Sequence, residues 1–170
     1  MPAPRDSWMI LVLCAAGACG DDGGPPIDAG IGEVELGTGV DAFEPLVSDQ
    51  LELFAGPQGG HHFIVHARIA GFLPGDPTMP GSVDNPATTF AAFSADVQID
   101  LRLPPYRLGY VEQSDGTFDL GAGRILQVDE AVVPDLYGAQ VTLTVQVVDP
   151  AGTHGEDRVT GTVVEGPPPG

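Results

Sequence analysis

Three of the four histidines in the sequence lie within six residues, and imidazole nitrogen is a common ligand for copper and zinc. His61, His62 and His66 follow two glycines, and His154 lies far along the chain. In a strand, His61 and His62 point to opposite faces, and His62 and His66 share a face about 13 Å apart. One ion, bound about 2 Å from each nitrogen, cannot bridge that distance. A copper or zinc site therefore requires His61 to meet His154 from another loop. The other prediction is that these histidines pack or hydrogen-bond at a strand entrance.

Acidic pairs offer a second kind of site. Residues 129–130 and 156–157 are each two consecutive acids, which can hold calcium at a loop end, as in many extracellular sandwiches. The sequence lacks the ordered calcium loop with acids at alternate positions and a bidentate glutamate. Asp96 and Asp100 are expected to face solvent four positions apart on a strand, too far apart for joint acid and base catalysis. A calcium-stabilised adhesion-type module stays an alternative.

Catalytic motifs are missing from the sequence. It has no Gly-x-Ser-x-Gly, no His-Glu-x-x-His and no lysine for a phosphate-binding loop. Ser48, Ser82, Ser94 and Ser114 have no histidine near them in the chain. The sequence therefore predicts a protein that is not an enzyme. A hydrolase would need a pocket that brings a distant serine or carboxylate beside a histidine.

The elements that must position these residues are predicted to be strands. Residues 140–147 and 94–103 alternate apolar and polar side chains, with Asp100 outward and Val97, Leu101 and Leu103 inward in the second segment. The exception is the segment 84–92, where Asp84-Asn85-Pro86 resembles a helix cap and favours a single helical turn. Further strands are predicted at residues 50–55, 62–72, 107–112, 117–120, 124–128 and 158–164.

Seven to nine short strands predict an all-β domain, a single antiparallel β-sandwich. Its final elements, a turn with Tyr137-Gly138, the strand from Gln140, the turn at 149–152 and a closing strand, resemble the last hairpin of bacterial immunoglobulin-like surface domains. The turn at 56–61 resembles one found in uncharacterised exported lipoproteins of this architecture. Both resemblances imply an immunoglobulin-like sandwich in the cell envelope, and neither implies an activity.

The N-terminal segment has the pattern of a signal peptide. Residues 8–18 carry no charge, and this run is too short for a spanning helix, which needs about 20 apolar residues. It ends in Ala16-Gly17-Ala18-Cys19, which resembles the lipobox of bacterial lipoproteins. The resemblance implies cleavage before Cys19, lipid on its thiol and on the new amine, and stable anchoring to a membrane. Gly20 follows the cysteine, where aspartate signals inner-membrane retention in this class, so the outer membrane is favoured.

The predicted organisation has four parts. Residues 1–18 form the signal peptide, 19–32 a lipidated flexible tether, 33–165 the sandwich and 166–170 a flexible Pro/Gly tail. Both cysteines lie in the first twenty residues, so no disulfide framework is expected in the domain.

The net charge of the chain limits the classes of partner that it can bind. The chain has 24 acids and 6 basic residues, and its formal net charge is −18. Such a surface repels phosphate backbones, so nucleic acid is excluded as a partner. The sequence predicts a lipid-anchored envelope module without a cofactor that binds an unidentified envelope protein or glycan. Loops are its expected contact surface, above all the long loop at 74–89. The alternative is a periplasmic copper or zinc protein that uses His61, His62, His66 and His154.

Overall fold

The computed structural model describes residues 30–46, 49–57 and 59–167 of the chain. These residues form twelve strands and one four-residue helix, so the all-β class is confirmed. The predicted strand at 50–55 is present unchanged, and that at 140–147 extends by one residue. The strands are β1 (Glu33–Thr38), β2 (Glu44–Pro45), β3 (Gln50–Ala55), β4 (His61–Ala70), β5 (Ala87–Ser94), β6 (Val97–Gln98), β7 (Tyr106–Arg107), β8 (Tyr110–Glu112), β9 (Phe118–Leu120), β10 (Arg124–Gln127), β11 (Gln140–Val148) and β12 (His154–Glu165), with α1 (Val133–Leu136) before β11.

Hydrogen bonds link the strands into one open sheet in the order β2-β1-β4-β3-β12-β11-β5-β6. Strands β9 and β10 also pair with β4, β8 pairs with β9, and β7 pairs with β5. Strand β3 joins β2, β1 and β4 on one side of the sheet to β12, β11, β5 and β6 on the other, because its end pairs with β4 and its start pairs with β12. Strand β1 packs against β11 and β12, which makes the architecture sandwich-like.

One strand pair differs from the predicted antiparallel arrangement. Strand β12 runs parallel to β3, with Thr162 beside Gln50 and Glu165 beside Leu53. The other pairings among the described strands are antiparallel. Alternation of apolar and polar residues shows which face of a strand is buried and carries no information about the direction of its neighbour. A purely antiparallel sheet was therefore the wrong expectation for this pair.

Alternate residues of the long strands build the core. Val141, Leu143 and Val145 of β11 and Phe63 and Val65 of β4 are almost completely buried. Burial of apolar surface contributes about 25 cal/mol per Å², so these side chains provide the main stabilisation in a domain without cysteines. The core also includes Leu36, Leu51, Leu53, Ile69, Phe90, Ile99, Tyr110, Leu120, Leu126, Val128, Val133, Leu136, Val147 and Val163.

The predicted strand at 94–103 is wrong. The chain reverses at Ala95 and Asp96, which have φ of 47° and 65°, and Ser94 pairs with Val97 across this two-residue turn. Val97, Leu101 and Leu103, expected in the core, are exposed, and Asp100, expected in solvent, is buried. The reason is that the Asp100 carboxylate accepts hydrogen bonds from the backbone N–H groups of Ala92 and Arg102, both at 2.9 Å.

Other elements also differ from prediction, and β12 begins at His154 rather than at residue 158. The predicted strand at 107–112 is divided into β7 and β8. Residues 84–92 form no helical turn, since β5 begins at Ala87, and the described helix lies at Val133–Leu136 instead. The end of the predicted tether belongs to the sheet, because Gly32 donates a backbone hydrogen bond to His154 O at 3.0 Å and Ile31 forms a parallel bridge with His154.

Candidate functional site

His61 begins β4 and is held by Glu130, which follows β10. The Glu130 carboxylate accepts hydrogen bonds from the His61 backbone N–H and from its ring, with Nδ1 3.0 Å from Oε2. Two consecutive glycines precede His61, and both have positive φ, so the turn before β4 adopts a conformation that suits glycine. His61 is therefore oriented by a carboxylate at the strand entrance, in agreement with the hydrogen-bonding prediction.

His62 and His66 lie on the other face of β4, and each ring packs against an aromatic side chain. The His62 ring stacks on Phe54 at 6.0 Å, and burial together with the neighbouring His61 lowers the pKa of His62. His66 is fully buried beneath Phe43, whose ring contacts it edge-on at 5.7 Å. Burial is also the main reason that the pKa of His66 lies below its ordinary value. Both imidazoles are therefore packing residues that favour the neutral state.

The two ring nitrogens of His66 differ in their hydrogen bonding. Nδ1 accepts a hydrogen bond from the backbone N–H of Ala67 at 3.0 Å, which places the proton of the neutral ring on Nε2. Nε2 is buried and has no hydrogen-bond partner among the described residues. A second proton on this ring would put a positive charge inside the domain.

The four histidines do not converge. His61 pairs with Ala55 at the end of β3, close to the end of β12, whereas His154 is the first residue of β12. The length of β12 separates these two ends by about 35 Å at 3.3 Å per residue. Within residues 30–46, 49–57 and 59–167, no group of three or more His, Cys, Asp or Glu side chains is placed to hold a metal ion. The arrangement that a site shared by His61 and His154 requires is therefore not present.

The acidic pairs considered for calcium have separate hydrogen-bond partners. Asp129 caps a turn by accepting from Ala131 N at 2.9 Å, and Glu130 holds His61. Glu156 accepts from the Gln146 side chain at 3.2 Å. Asp157 accepts from the backbone N–H of Leu36 at 2.8 Å and so joins β12 to β1. These carboxylates hold strands and turns in place.

Two further buried acids were not predicted as important. Asp149 accepts hydrogen bonds from Ala151 and Thr153 within its own turn and from Leu73 N at 2.8 Å across the fold. Asp119 forms a two-point ion pair with Arg68, at 2.7 and 3.0 Å. The sequence does predict a turn at Asp149, because aspartate followed by Pro-Ala-Gly is typical of turns. Nothing local identifies the long-range partners.

Residues 73–86 form an ordered loop between β4 and β5, called here the 73–86 loop. Asn85 is fully buried inside it: its Oδ1 accepts from Asp76 N at 2.7 Å and its Nδ2 donates to Met79 O at 2.8 Å. The Arg107 guanidinium of β7 donates to Asn85 O at 3.3 Å, and the Arg107 backbone carbonyl accepts from Gly81 N at 2.7 Å. The loop is therefore fixed both internally and to the sheet.

The neighbouring strands leave little room beneath the loop. A Cβ atom at Gly109, between β7 and β8, would overlap the main chain of Asp76 and Pro77. Despite this close fit, the loop presents large apolar side chains outward, with Met79 57 % and Val83 74 % exposed. Leu73 at its start is also exposed. The loop holds these three side chains in water at fixed positions.

The serines contribute no catalytic arrangement in the part of the chain that the structure covers. Ser82 accepts from Asp84 N at 3.2 Å, while Ser94 and Ser114 lie at a strand end and in a turn. Within the described ranges, no serine hydroxyl hydrogen-bonds to a histidine. Ser48 lies outside those ranges.

The predicted lipidation site, Cys19, also lies outside the described residues, as do the predicted signal peptide and most of the tether. In the ranges from 30 to 167 that the structure describes, no helix has the length and apolar character needed to cross a membrane.

The chain matches no family model, no curated protein and no solved structure.

Proposed function

We propose that the chain is a lipoprotein of the bacterial envelope, anchored through lipid on Cys19, with a non-enzymatic, immunoglobulin-like domain that binds another envelope component. The 73–86 loop is the proposed contact surface. The observation that carries the proposal is the combination of fixed backbone and exposed Met79 and Val83 in this loop.

Physical reasons favour this loop as a binding surface. Exposed large apolar side chains gain free energy when a partner removes them from water. A loop already held by Asn85 and Arg107 loses little conformational entropy on binding, so more of that free energy appears as affinity. Asp76 and Asp84 beside the apolar residues provide a polar rim.

The anchor supports the same function. Small residues precede Cys19 as a lipoprotein peptidase requires, and several acyl chains bind a bilayer stably without a protein span. The tether after Cys19 is rich in glycine and proline and is long enough to hold the domain some tens of ångströms from the lipid. Gly20 favours the outer membrane.

Site-specific photo-crosslinking in the native cells tests both parts. A photoreactive amino acid replaces Met79 in the natural chain and in a Cys19→Ser chain, and labelled palmitate is supplied to both. We expect palmitate and one distinct crosslinked adduct in the first chain. The Cys19→Ser chain should lack palmitate and lose most of the adduct, because the domain no longer stays beside its partner.

Ile125 on β10 is the matched control, since it is 58 % exposed and Met79 is 57 % exposed. The same photoreactive residue at position 125 should give no distinct adduct. Equal labelling of the Cys19→Ser chain would disprove the anchor. An equal adduct from position 125, or none from position 79, would disprove the loop as the contact surface.

A further inference from the structure

The outer face of β5, β11 and β12 is a second surface with a distinct chemistry, called here the threonine face. The register places alternate residues of the three strands side by side, with Thr142 between Phe93 and Thr160. It is defined by Thr89 and Phe93 of β5, by Gln140, Thr142, Thr144 and Gln146 of β11, and by Glu156, Arg158, Thr160 and Thr162 of β12.

Cross-strand hydrogen bonds hold the polar side chains of this face in place. The hydroxyls of Thr142 and Thr160 are 2.8 Å apart, and the Gln140 amide donates to the Thr162 hydroxyl at 2.6 Å. Neighbouring strands lie about 4.8 Å apart, and residues on one face of a strand repeat every 6.8 Å or so. Hydroxyl and amide groups are therefore presented at regular, fixed intervals.

A cleft lies along part of the threonine face. Its volume is about 440 Å³, and its lining includes Phe93, Thr142, Thr144, Gln146 and Arg158. Ala95 and Asp96, in the turn between β5 and β6, form part of its rim. Phe93 is half-buried, so part of its ring is available within the cleft.

The charge of this face differs from that of the whole chain. Its ten defining residues include one acid, Glu156, and one base, Arg158, whereas the chain carries a net charge of −18. Asp96 and Asp157 also line the cleft, and the Asp157 carboxylate accepts a hydrogen bond from the backbone N–H of Leu36 in β1. The ten defining residues are polar apart from Phe93 and together carry no net charge, which suits a ligand that is itself polar and neutral.

We propose that the threonine face binds a neutral oligosaccharide. Sugar hydroxyls both donate and accept hydrogen bonds, as do threonine hydroxyls and glutamine amides. The apolar C–H side of a pyranose ring fits against the exposed part of Phe93. The inference rests on the proposed function, because it identifies a glycan of the envelope as a ligand of the anchored domain.

Other occupants fit this face less well. A symmetric dimer needs a self-complementary surface, and two concave clefts placed together leave a void. An anionic polysaccharide would be repelled by the chain as a whole. A peptide strand would need a free sheet edge, but β5 is already covered by β6 and β7.

Calorimetric titration of the purified full chain tests the proposal. The neutral probes are chitohexaose, dextran and a soluble β-glucan, and polygalacturonate is the anionic probe. The test variant is Thr142→Val with Thr160→Val, which removes two hydroxyls and keeps β-branched side chains suited to a strand. The control is Thr153→Val, in the turn between β11 and β12 and outside the face.

We expect at least one neutral probe to bind, the double variant to bind it about tenfold more weakly, and the control to bind as the natural chain does. The proposal fails if no neutral probe binds, if polygalacturonate binds equally well, or if the double variant keeps full affinity. It also fails if sedimentation shows a dimer that the double variant abolishes. The photo-crosslinking test distinguishes this failure from failure of the proposed function. If the double variant still gives the crosslinked adduct from position 79, the proposed function holds even when the oligosaccharide proposal fails.

Discussion

At the scale of single residues, several acids act as acceptors for backbone N–H groups. Asp100, Asp149 and Asp157 each bind backbone groups that ordinary strand pairing leaves free, at 2.8 to 2.9 Å. A buried N–H group without an acceptor costs about 1–3 kcal/mol, so these carboxylates contribute directly to stability. Part of the acidity of the chain therefore serves the fold as well as its solubility.

His66 makes stability depend on pH. Its folded pKa lies below that of the unfolded chain, so protons bind more readily after unfolding. The contribution is fully present above the unfolded value of 6.5 and is lost as pH falls from there through the folded pKa. We expect the free energy of unfolding to fall between pH 7.5 and 5.5 in the natural chain, and to fall by less in His66→Phe.

Urea unfolding at several pH values measures this effect. Phenylalanine keeps a planar ring beneath Phe43 and removes the titrating group. His154→Gln, at an exposed position, is the control and should keep the natural pH dependence. An unchanged slope in His66→Phe would show that another group, such as His62, causes the acid sensitivity.

At the scale of elements, the hairpin of β5 and β6 uses unusual turn residues. Two-residue turns with positive φ at both positions favour Asn-Gly, whereas this turn has Ala95-Asp96. Left-handed backbone at a residue with a Cβ atom costs roughly 1–2 kcal/mol. The double variant Ala95→Asn with Asp96→Gly should therefore raise the free energy of unfolding by about 1 kcal/mol, measured by chemical denaturation.

The opposite substitution provides the contrast for this turn. Ala95→Val places a β-branched side chain at positive φ and should destabilise the domain. If Asn-Gly lowers stability, then the turn conformation inferred at these two residues is wrong.

The same turn shows what sequence patterns can and cannot predict. Strands β3 and β11 were predicted because their alternation is regular and turn residues flank them. The alternation also continues through Ala95 and Asp96, where the chain reverses. Because neither residue is glycine or asparagine, the sequence gives no sign of a turn there. Since Asp100 is buried by hydrogen bonds to distant backbone groups, a local pattern could not indicate its position.

The histidine cluster was also only partly predictable. Strand geometry alone separated His61 from His62 and placed His66 too far away for a shared ion. The partners of these rings, Glu130 and Phe43, depend on which strands become neighbours. The threonine face was visible in the sequence as alternating Gln and Thr in β11, but its matching residues in β5 and β12 follow from the register.

At the scale of the whole molecule, the net charge of −18 opposes the compact state. Salt shortens the range of this repulsion, from about 30 Å at 0.01 M to about 3 Å at 1 M. We expect the melting temperature of the purified protein to rise by about 4 °C between 0.01 and 0.5 M sodium chloride, measured by circular dichroism.

Sorbitol at equal osmolality is the control, since it does not screen charge. The described ion pair of Arg68 with Asp119 weakens with salt and acts in the opposite direction. A melting temperature that falls as salt is added would mean that such attraction outweighs the overall repulsion.

Strand β12 lies between β3 and β11, although it is the last of the described strands to be synthesised. A nascent chain without it has two open sheet edges and an incomplete core, and such intermediates are prone to aggregate. Final folding must therefore wait until residues 154–165 leave the ribosome. For a protein exported as we propose, this delay helps to keep the polypeptide unfolded until translocation.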